Sequence, residues 1–247
     1  MAKLFALLYA IAANLIFLLV FVYFIGFVGN VVVPKSIDSG VAGDSLVAVL
    51  VDFALLALFA VQHTLMARAG FKRAFARWLP PAIERANYVL LSSLLLALLC
   101  WQWRPLPAVI WQVDNRALSI FLTALFALGW GIGLVAAKAF DIFELIGLRQ
   151  ALLNLRNRGV GARPFATPGL YRLVRHPMMT GFLLSFWAAP TMTAGHLLFA
   201  SVMTLYIVIA VKCFEERDLK HAFGDTYAQY QRDVPMLVPY KAPLTDR

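Results

Sequence analysis

From Pro177 to Val211 the chain runs 35 residues without an Asp, Glu, Lys or Arg. A membrane-spanning helix needs about 20 apolar residues, so this run is too long for one span and just long enough for two short ones. Pro190 and Gly195 interrupt its middle. They predict a tight helical hairpin turning around 189–195, with a re-entrant pair that does not fully cross as the alternative. Further charge-poor spans read at about 4–29, 45–67, 86–103 and 117–137. With 62% hydrophobic and 14% charged residues, few other fold classes are open to the chain. The expected fold is an all-α integral membrane protein, a bundle of about six helices made of four spans plus a C-terminal helical hairpin. The first apolar run, Leu4–Pro34, exceeds the roughly 7–15 residues of a cleavable signal and reads as a span.

The net charge of +9 invites a nucleic-acid reading, but the placement of the cations points elsewhere. Assigning loops alternately to two sides puts 19 of the 22 Lys and Arg on one side: Lys3, the 68–85 loop, the 138–175 segment and the tail from Lys212. Lys35, Arg104 and Arg116 fall on the other. The positive-inside rule then predicts that both termini and both basic loops are cytoplasmic. The basic balance reports topology and contact with anionic lipid headgroups. The expected organisation is a single membrane domain, 1–247: four spans in 1–137, an interfacial helix and loop in 138–176, the hairpin in 177–212 and a cytoplasmic segment in 213–247.

Chemistry concentrates where the chain enters and leaves the hairpin. Pro177 suits the first turn of a helix, where its missing N–H would be unpaired anyway. Arg175 and His176 then stand at a helix entrance whose free N–H groups favour an anion. The exit carries Glu215, Glu216, Arg217 and Asp218. Because the two ends of a hairpin lie side by side, His176 and the Glu215–Glu216 pair are expected to be neighbours. Such a site suits a ligand of both charge signs.

The pattern Gly169-x-Tyr171-x-x-x-Arg175-His176-Pro177-x-x-x-Gly181 resembles the cofactor motif of the isoprenylcysteine carboxyl methyltransferase family. Glu215-Glu216-x-x-Leu219, Phe223-Gly224-x-x-Tyr227-x-x-Tyr230 and Val234-Pro235 are similar to that family's tail. The family's usual Tyr two residues after the Pro is Met179 here, which moves the chain toward the nurim-like branch. Gln62-His63-Thr64-Leu65-Met66-Ala67-Arg68, Glu84-Arg85-x-x-Tyr88, Trp101-x-Trp103-Arg104-Pro105 and Gly147-Leu148-Arg149-Gln150 resemble bacterial methanethiol S-methyltransferases. The resemblance implies a helical bundle of the bacterial inner membrane that binds S-adenosylmethionine near the cytoplasmic face, without a Rossmann domain, and converts methanethiol to dimethyl sulfide. It implies Phe165, Tyr171, Arg175, His176, Pro177, Met179, Glu215 and Glu216 as cofactor contacts. A donor with a carboxylate, an ammonium and an adenine suits that set: Arg175 and His176 for the carboxylate, Glu215 for the ammonium or ribose, and Tyr171 and Phe165 for adenine. The partner is a small apolar thiol that can arrive through the lipid. A larger lipophilic acceptor, a non-catalytic nurim-like scaffold and a transporter are the competing readings.

Asp52 and His63, eleven residues apart, share one face of a span, and intramembrane ionisable groups usually face the interior and mark function. His63 is the candidate catalytic residue, orienting or deprotonating the thiol; a bridge between helices is its alternative, and Asp52 is expected to pair structurally. Gly129-x-x-x-Gly133 predicts close helix packing. Residues 139–157 carry Leu145, Leu148, Leu152 and Leu155 at helical spacing, predicting an amphipathic interfacial helix, with Gln150 extending toward the site on the resemblance alone. Asp218-x-x-His221 has no second copy, and four His with two Cys offer no zinc spacing, so no metal is expected. Cys100 and Cys213 read as small buried apolar side chains.

Overall fold

A computed structural model describes residues 1–159, 161 and 164–241; Arg163 and Arg247, counted among the cations above, lie outside them, and the C-terminal segment is described as far as Lys241. The chain folds as an all-α membrane protein. Among the described residues five helices are long and apolar enough to cross a bilayer. The chain divides into two compact units, one of Met1–Ile110, Ile142–Gly161 and Met192–Phe199, the other of Trp111–Asp141, Ala162–Thr191 and Ala200–Arg247.

The first unit holds α1 (Ala2–Gly29), α2 (Ser45–Ala67), α3 (Ala69–Phe75), α4 (Pro81–Gln102), α6 (Ile142–Leu145) and α7 (Leu148–Leu155). In α1 the large side chains Leu4, Leu8, Ile11, Leu15 and Leu18 are exposed while Ala6, Ala10 and Ala13 are buried. That inversion suits a helix in lipid, where small residues let backbones approach and large ones meet acyl chains. Ala10 and Ala13 meet Ala86 of α4 and Ala151 of α7 in one buried seam. Asp44 caps α2, its carboxylate accepting from the Val47 N–H at 3.0 Å. Trp103, fully buried just past α4, donates its indole N–H to the Ile37 carbonyl at 3.0 Å.

Two elements of this unit differ from the sequence expectation. The single interfacial helix over 139–157 is two short ones, α6 and α7. Gly147 separates them at φ +84°, where a Cβ would lie 2.6 Å from the Ala86 backbone nitrogen. Gln150 donates to the Glu144 carbonyl at 3.1 Å. The third span begins at Pro81 rather than near 86, because its first-turn charges are accommodated: Glu84 pairs with Lys72 at 2.9 Å and Arg85 donates to the Leu145 carbonyl at 2.7 Å.

The second unit holds α5 (Arg116–Ala139), a 3₁₀ turn (Gly169–Arg172), α8 (Pro177–Trp187), most of α9 (Ala194–Ile209), a π-helical turn (Ala210–Glu215) and α10 (Glu216–Asp233). Gly129 and Gly133 do serve close packing: a Cβ on Gly129 would meet the Gly181 carbonyl at 2.5 Å, and one on Gly181 the Gly129 carbonyl at 2.4 Å. Trp130 closes the seam against Phe182 and Phe186. The hairpin turn falls between Trp187 and Ala194, as expected, but α8 has only 11 residues. At about 1.5 Å per residue that is roughly 16 Å, against a hydrocarbon core of about 30 Å, so α8 does not cross alone. Pro190 explains the early stop, since the residue before a proline is driven out of the helical region. Two short strands not foreseen, β1 (Val109–Gln112) and β2 (Thr191–Thr193), form a two-stranded sheet, and β2 lies within this turn. Backbone bonds secure their ends: Ala194 N–H to the Ala108 carbonyl in the first unit, Val113 N–H to the Pro190 carbonyl in the second.

Candidate functional site

The second unit gathers a charged cluster at the entrance of α8. His176 is the residue before α8, and its ring lies between two carboxylates: Nδ1 is 3.4 Å from Glu215 Oε1 and Nε2 is 3.3 Å from Glu216 Oε1. With an acceptor at each nitrogen both must donate, so the ring is an imidazolium. Burial opposes that charge, but the hydrogen bonds and negative charges of Glu215 and Glu216 outweigh it and raise His176 from 6.5 to about 9. The neighbourhood of His176 and the glutamate pair, expected from hairpin geometry, is therefore present.

Glu215 and Glu216 reach one ring because of the turn before them. The chain over Ala210–Glu215 is π-helical, an i→i+5 widening that resets which residues face inward. Val211 and Glu216 become buried while Lys212 and Cys213 stay exposed, so of the two cysteines expected to be buried only Cys100 is. Downstream, α10 kinks at Gly224 (φ 56°, ψ −130°), a conformation that favours glycine.

Arg175 donates from Nε to Glu216 Oε1 at 2.7 Å, and its Nη2 lies 2.6 Å from the same oxygen. Its Nη1 donates to the carbonyls of Gln231, at 3.0 Å, and Val234. All three guanidinium nitrogens thus bind protein groups, an arrangement that fastens the end of α10. The following segment continues the clasp: the Arg175 and His176 N–H groups donate to the Pro235 and Met236 carbonyls at 2.9 and 3.1 Å. Thr180 adds a hydroxyl bond to the Leu237 carbonyl at 2.7 Å. Of these partners Glu216 and the Val234-Pro235 pair had a sequence signal, as parts of motifs. Gln231, Thr180 and the π turn had none.

The remaining expected residues line the same unit. Tyr171 packs edge-on against Phe140 at 4.5 Å, and its carbonyl accepts the Tyr230 hydroxyl at 2.5 Å. Burial, with Glu215 beside it, pushes the Tyr171 phenol up to about 12, so it remains neutral. Phe165 packs with Phe223, Tyr227 and Tyr230 in an aromatic cluster under α10. Pro177 is buried at the start of α8 and Met179 is half-buried in its first turn.

His63 lies in the first unit, in a different kind of cluster. Its Nδ1 is 3.2 Å from the Ser92 hydroxyl and its Nε2 is 2.7 Å from the Tyr88 hydroxyl. Ser92 donates its hydrogen to Gln62 Oε1 at 3.2 Å. The Ser92 oxygen must then accept, so Nδ1 carries the hydrogen and Nε2 takes the one from Tyr88. Arg85 lies over the Tyr88 ring at 5.0 Å. Asp52 is fully buried on the same side of α2, its Oδ1 accepting the Arg104 N–H at 2.9 Å. The structural pairing expected of Asp52 is this bond.

The class that fold and site define is an integral membrane bundle with a buried imidazolium, two carboxylates and a guanidinium gathered at one helix entrance. The phospholipid methyltransferase family model matches residues 123–226, the part of the chain that holds most of this cluster. Methanethiol S-methyltransferase 2 of Bradyrhizobium diazoefficiens is 52% identical over 238 residues, 96% of this chain and 91% of that one. Methanethiol S-methyltransferase of Mycobacterium tuberculosis is 51% identical over 240 residues, 97% and 98% of the two chains. Nurim of Bos taurus is 30% identical over 203 residues, 78% and 74%. No solved structure matches the chain. The chain belongs to the methanethiol S-methyltransferase family, and it is a methyltransferase.

Proposed function

We propose that this protein transfers the methyl group of S-adenosylmethionine to methanethiol, giving dimethyl sulfide, in the bacterial inner membrane with its termini and donor site on the cytoplasmic side. The observation that carries the reading is the cluster at α8: His176 held as an imidazolium between Glu215 and Glu216, with Glu215 presenting a half-exposed carboxylate. The donor set fits a zwitterionic ligand. Glu215 accepts an ammonium, while the His176 imidazolium, Arg175 and the N–H groups at the start of α8 offer positive charge to a carboxylate. Tyr171 and Phe165 supply aromatic faces for adenine, and Pro177, Met179 and Glu216 complete the proposed contacts. The bound donor supplies an electrophilic methyl on a sulfonium; this chain's residues hold and orient it and exclude water.

The acceptor must lose a proton, because the thiolate is the nucleophile and a free thiol has a pKa of about 8.5 or higher. His63 is the proposed base or orienting group, acting at Nε2 either directly or through the Tyr88 hydroxyl that occupies it. A phospholipid amine is the second reading, favoured by the family model over 123–226. One assay separates them. Purified protein in detergent receives methyl-deuterated S-adenosylmethionine and methanethiol, and the headspace is read by mass spectrometry. Labelled dimethyl sulfide, absent from a folded His176→Ala control, is the expected result. Donor binding without that product, with label in added lipid, would replace the thiol with a lipid acceptor.

A further inference from the structure

Glu215 and Glu216 are adjacent in sequence but differently engaged. The Glu216 side chain is 11% exposed and that of Glu215 46%, so only the latter is open to a ligand. Oε1 of Glu216 receives Arg175 and His176. Its second oxygen, Oε2, receives the side-chain amide of Gln231 at 3.1 Å. The backbone carbonyl of Gln231 meanwhile accepts from Arg175 Nη1 at 3.0 Å. One residue therefore holds both members of the ion pair and closes a ring of Arg175, Glu216 and Gln231. Nothing in the reading above uses Gln231.

We propose that Gln231 is a positioning residue for methyl-donor binding: its amide fixes the second oxygen of Glu216, so Glu216 is committed to Arg175 and His176 and Glu215 alone meets the ligand's ammonium. The proposal rests on the α8 cluster being the donor site. A neutral amide suits this place for a definite reason. A buried carboxylate oxygen without a donor is costly, and a second carboxylate there would repel the first. Without the amide, Glu216 turns to find a donor, and the nearest are the His176 imidazolium and the incoming ammonium. Either choice removes the division of labour between the two glutamates.

Gln231→Ala and Gln231→Glu test this. The second variant is isosteric, and its introduced carboxyl donates an O–H when protonated but repels Glu216 when ionised. The adjoining Glu216 charge raises its pKa above the ordinary value of about 4.3, so the O–H form persists at pH 5.5. Binding of labelled S-adenosylmethionine is measured at pH 5.5 and pH 8. Gln231→Ala should bind about tenfold more weakly at both, the scale of one lost hydrogen bond to a charged group. Gln231→Glu should bind within about threefold of wild type at pH 5.5 and more than about tenfold more weakly at pH 8, a pH dependence that lost packing alone does not produce. Wild-type affinity in Gln231→Ala, or a Gln231→Glu profile parallel to wild type, overturns the proposal. Thermal unfolding of the ligand-free proteins is read alongside. Gln231→Glu should melt with wild type at pH 5.5, showing that it folds, and below it at pH 8. Should wild type itself bind no S-adenosylmethionine, the donor-site reading fails. The ligand-free melting curves still judge the lock on Glu216, and unchanged curves at pH 8 overturn it.

Discussion

Two histidines, half-buried His63 and buried His176, each have both ring nitrogens engaged, yet their surroundings are opposite in kind. Around His63 stand two hydroxyls and an amide, on Ser92, Tyr88 and Gln62. Around His176 stand two carboxylates, one of which is also bound by a guanidinium. A neutral ring can complete the first set, donating once and accepting once. The second set has only acceptors to offer, so it needs a ring that donates twice. The difference separates a hydrogen-bond bridge between two lipid-embedded helices from an ionic cluster that holds the end of α10 and presents a half-exposed carboxylate. It also indicates where substitutions should be costly.

The largest effect should come from the buried half of the ionic cluster. Glu216→Gln leaves the Arg175 guanidinium without its counter-charge, and breaking one partner of a buried pair costs about 3–5 kcal/mol. The matching change Glu215→Gln removes a half-exposed group and should leave the melting temperature close to wild type while donor binding is lost. Thermal unfolding in detergent, with and without S-adenosylmethionine, reads both. Equal destabilisation by the two changes would erase the distinction between a committed and a presented carboxylate.

His176 carries the next effect, and its sign is fixed. Its folded pKa, about 9, lies above the ordinary 6.5, so its contribution to stability is fully present below pH 6.5 and is lost as pH rises through about 9. Melting temperatures between pH 6 and pH 10 should fall along that window, and His176→Gln should remove this part of the fall. A wild-type profile unaltered by His176→Gln would mean that the ring is not held charged.

The α5–α8 seam should respond less. Gly181→Ala places a Cβ 2.4 Å from the Gly129 carbonyl. Relief requires backbone movement, and overpacking of this kind costs about 1–3 kcal/mol. Because α8 carries Pro177 and Met179, donor affinity should fall together with the melting temperature. Loss of affinity at an unchanged melting temperature would point to a direct role for the glycine.

The spans were legible because lipid burial disfavours charge, so each showed as a charge-poor run. The hairpin turn was legible for the same reason, with Pro190 at its centre, and the turn itself implied that His176 and the glutamate pair would meet. Other features depend on contacts that no local pattern encodes. The break at Gly147 is forced by the backbone of Ala86, sixty-one positions earlier. Arg175 reads as an anion-binding arginine, yet its nitrogens bind Glu216 and two carbonyls of a segment more than fifty positions away. The π turn places Glu216 inward without any sequence mark of its own.

The smallest effect should come from the neutral cluster, and it bears directly on what His63 does. Ser92→Ala removes the acceptor of the His63 Nδ1–H and the donor to Gln62, a loss of about 0.5–1.5 kcal/mol for each bond, partly recovered by rearrangement. The fold and donor binding should be nearly unchanged. Turnover with methanethiol decides the rest. If His63 accepts or orients the thiol proton, releasing the ring from Ser92 lets the tautomer change and Nε2 lose its lone pair, so kcat falls while donor affinity holds. His63→Ala should then lower kcat further, again with donor binding intact, and the deficit of both variants should shrink as pH rises toward the thiol's own pKa, where a base is no longer needed. Normal turnover in both variants would reduce His63 to a bridge between α2 and α4. The comparison with His176 would then be one between a structural histidine and a functional one.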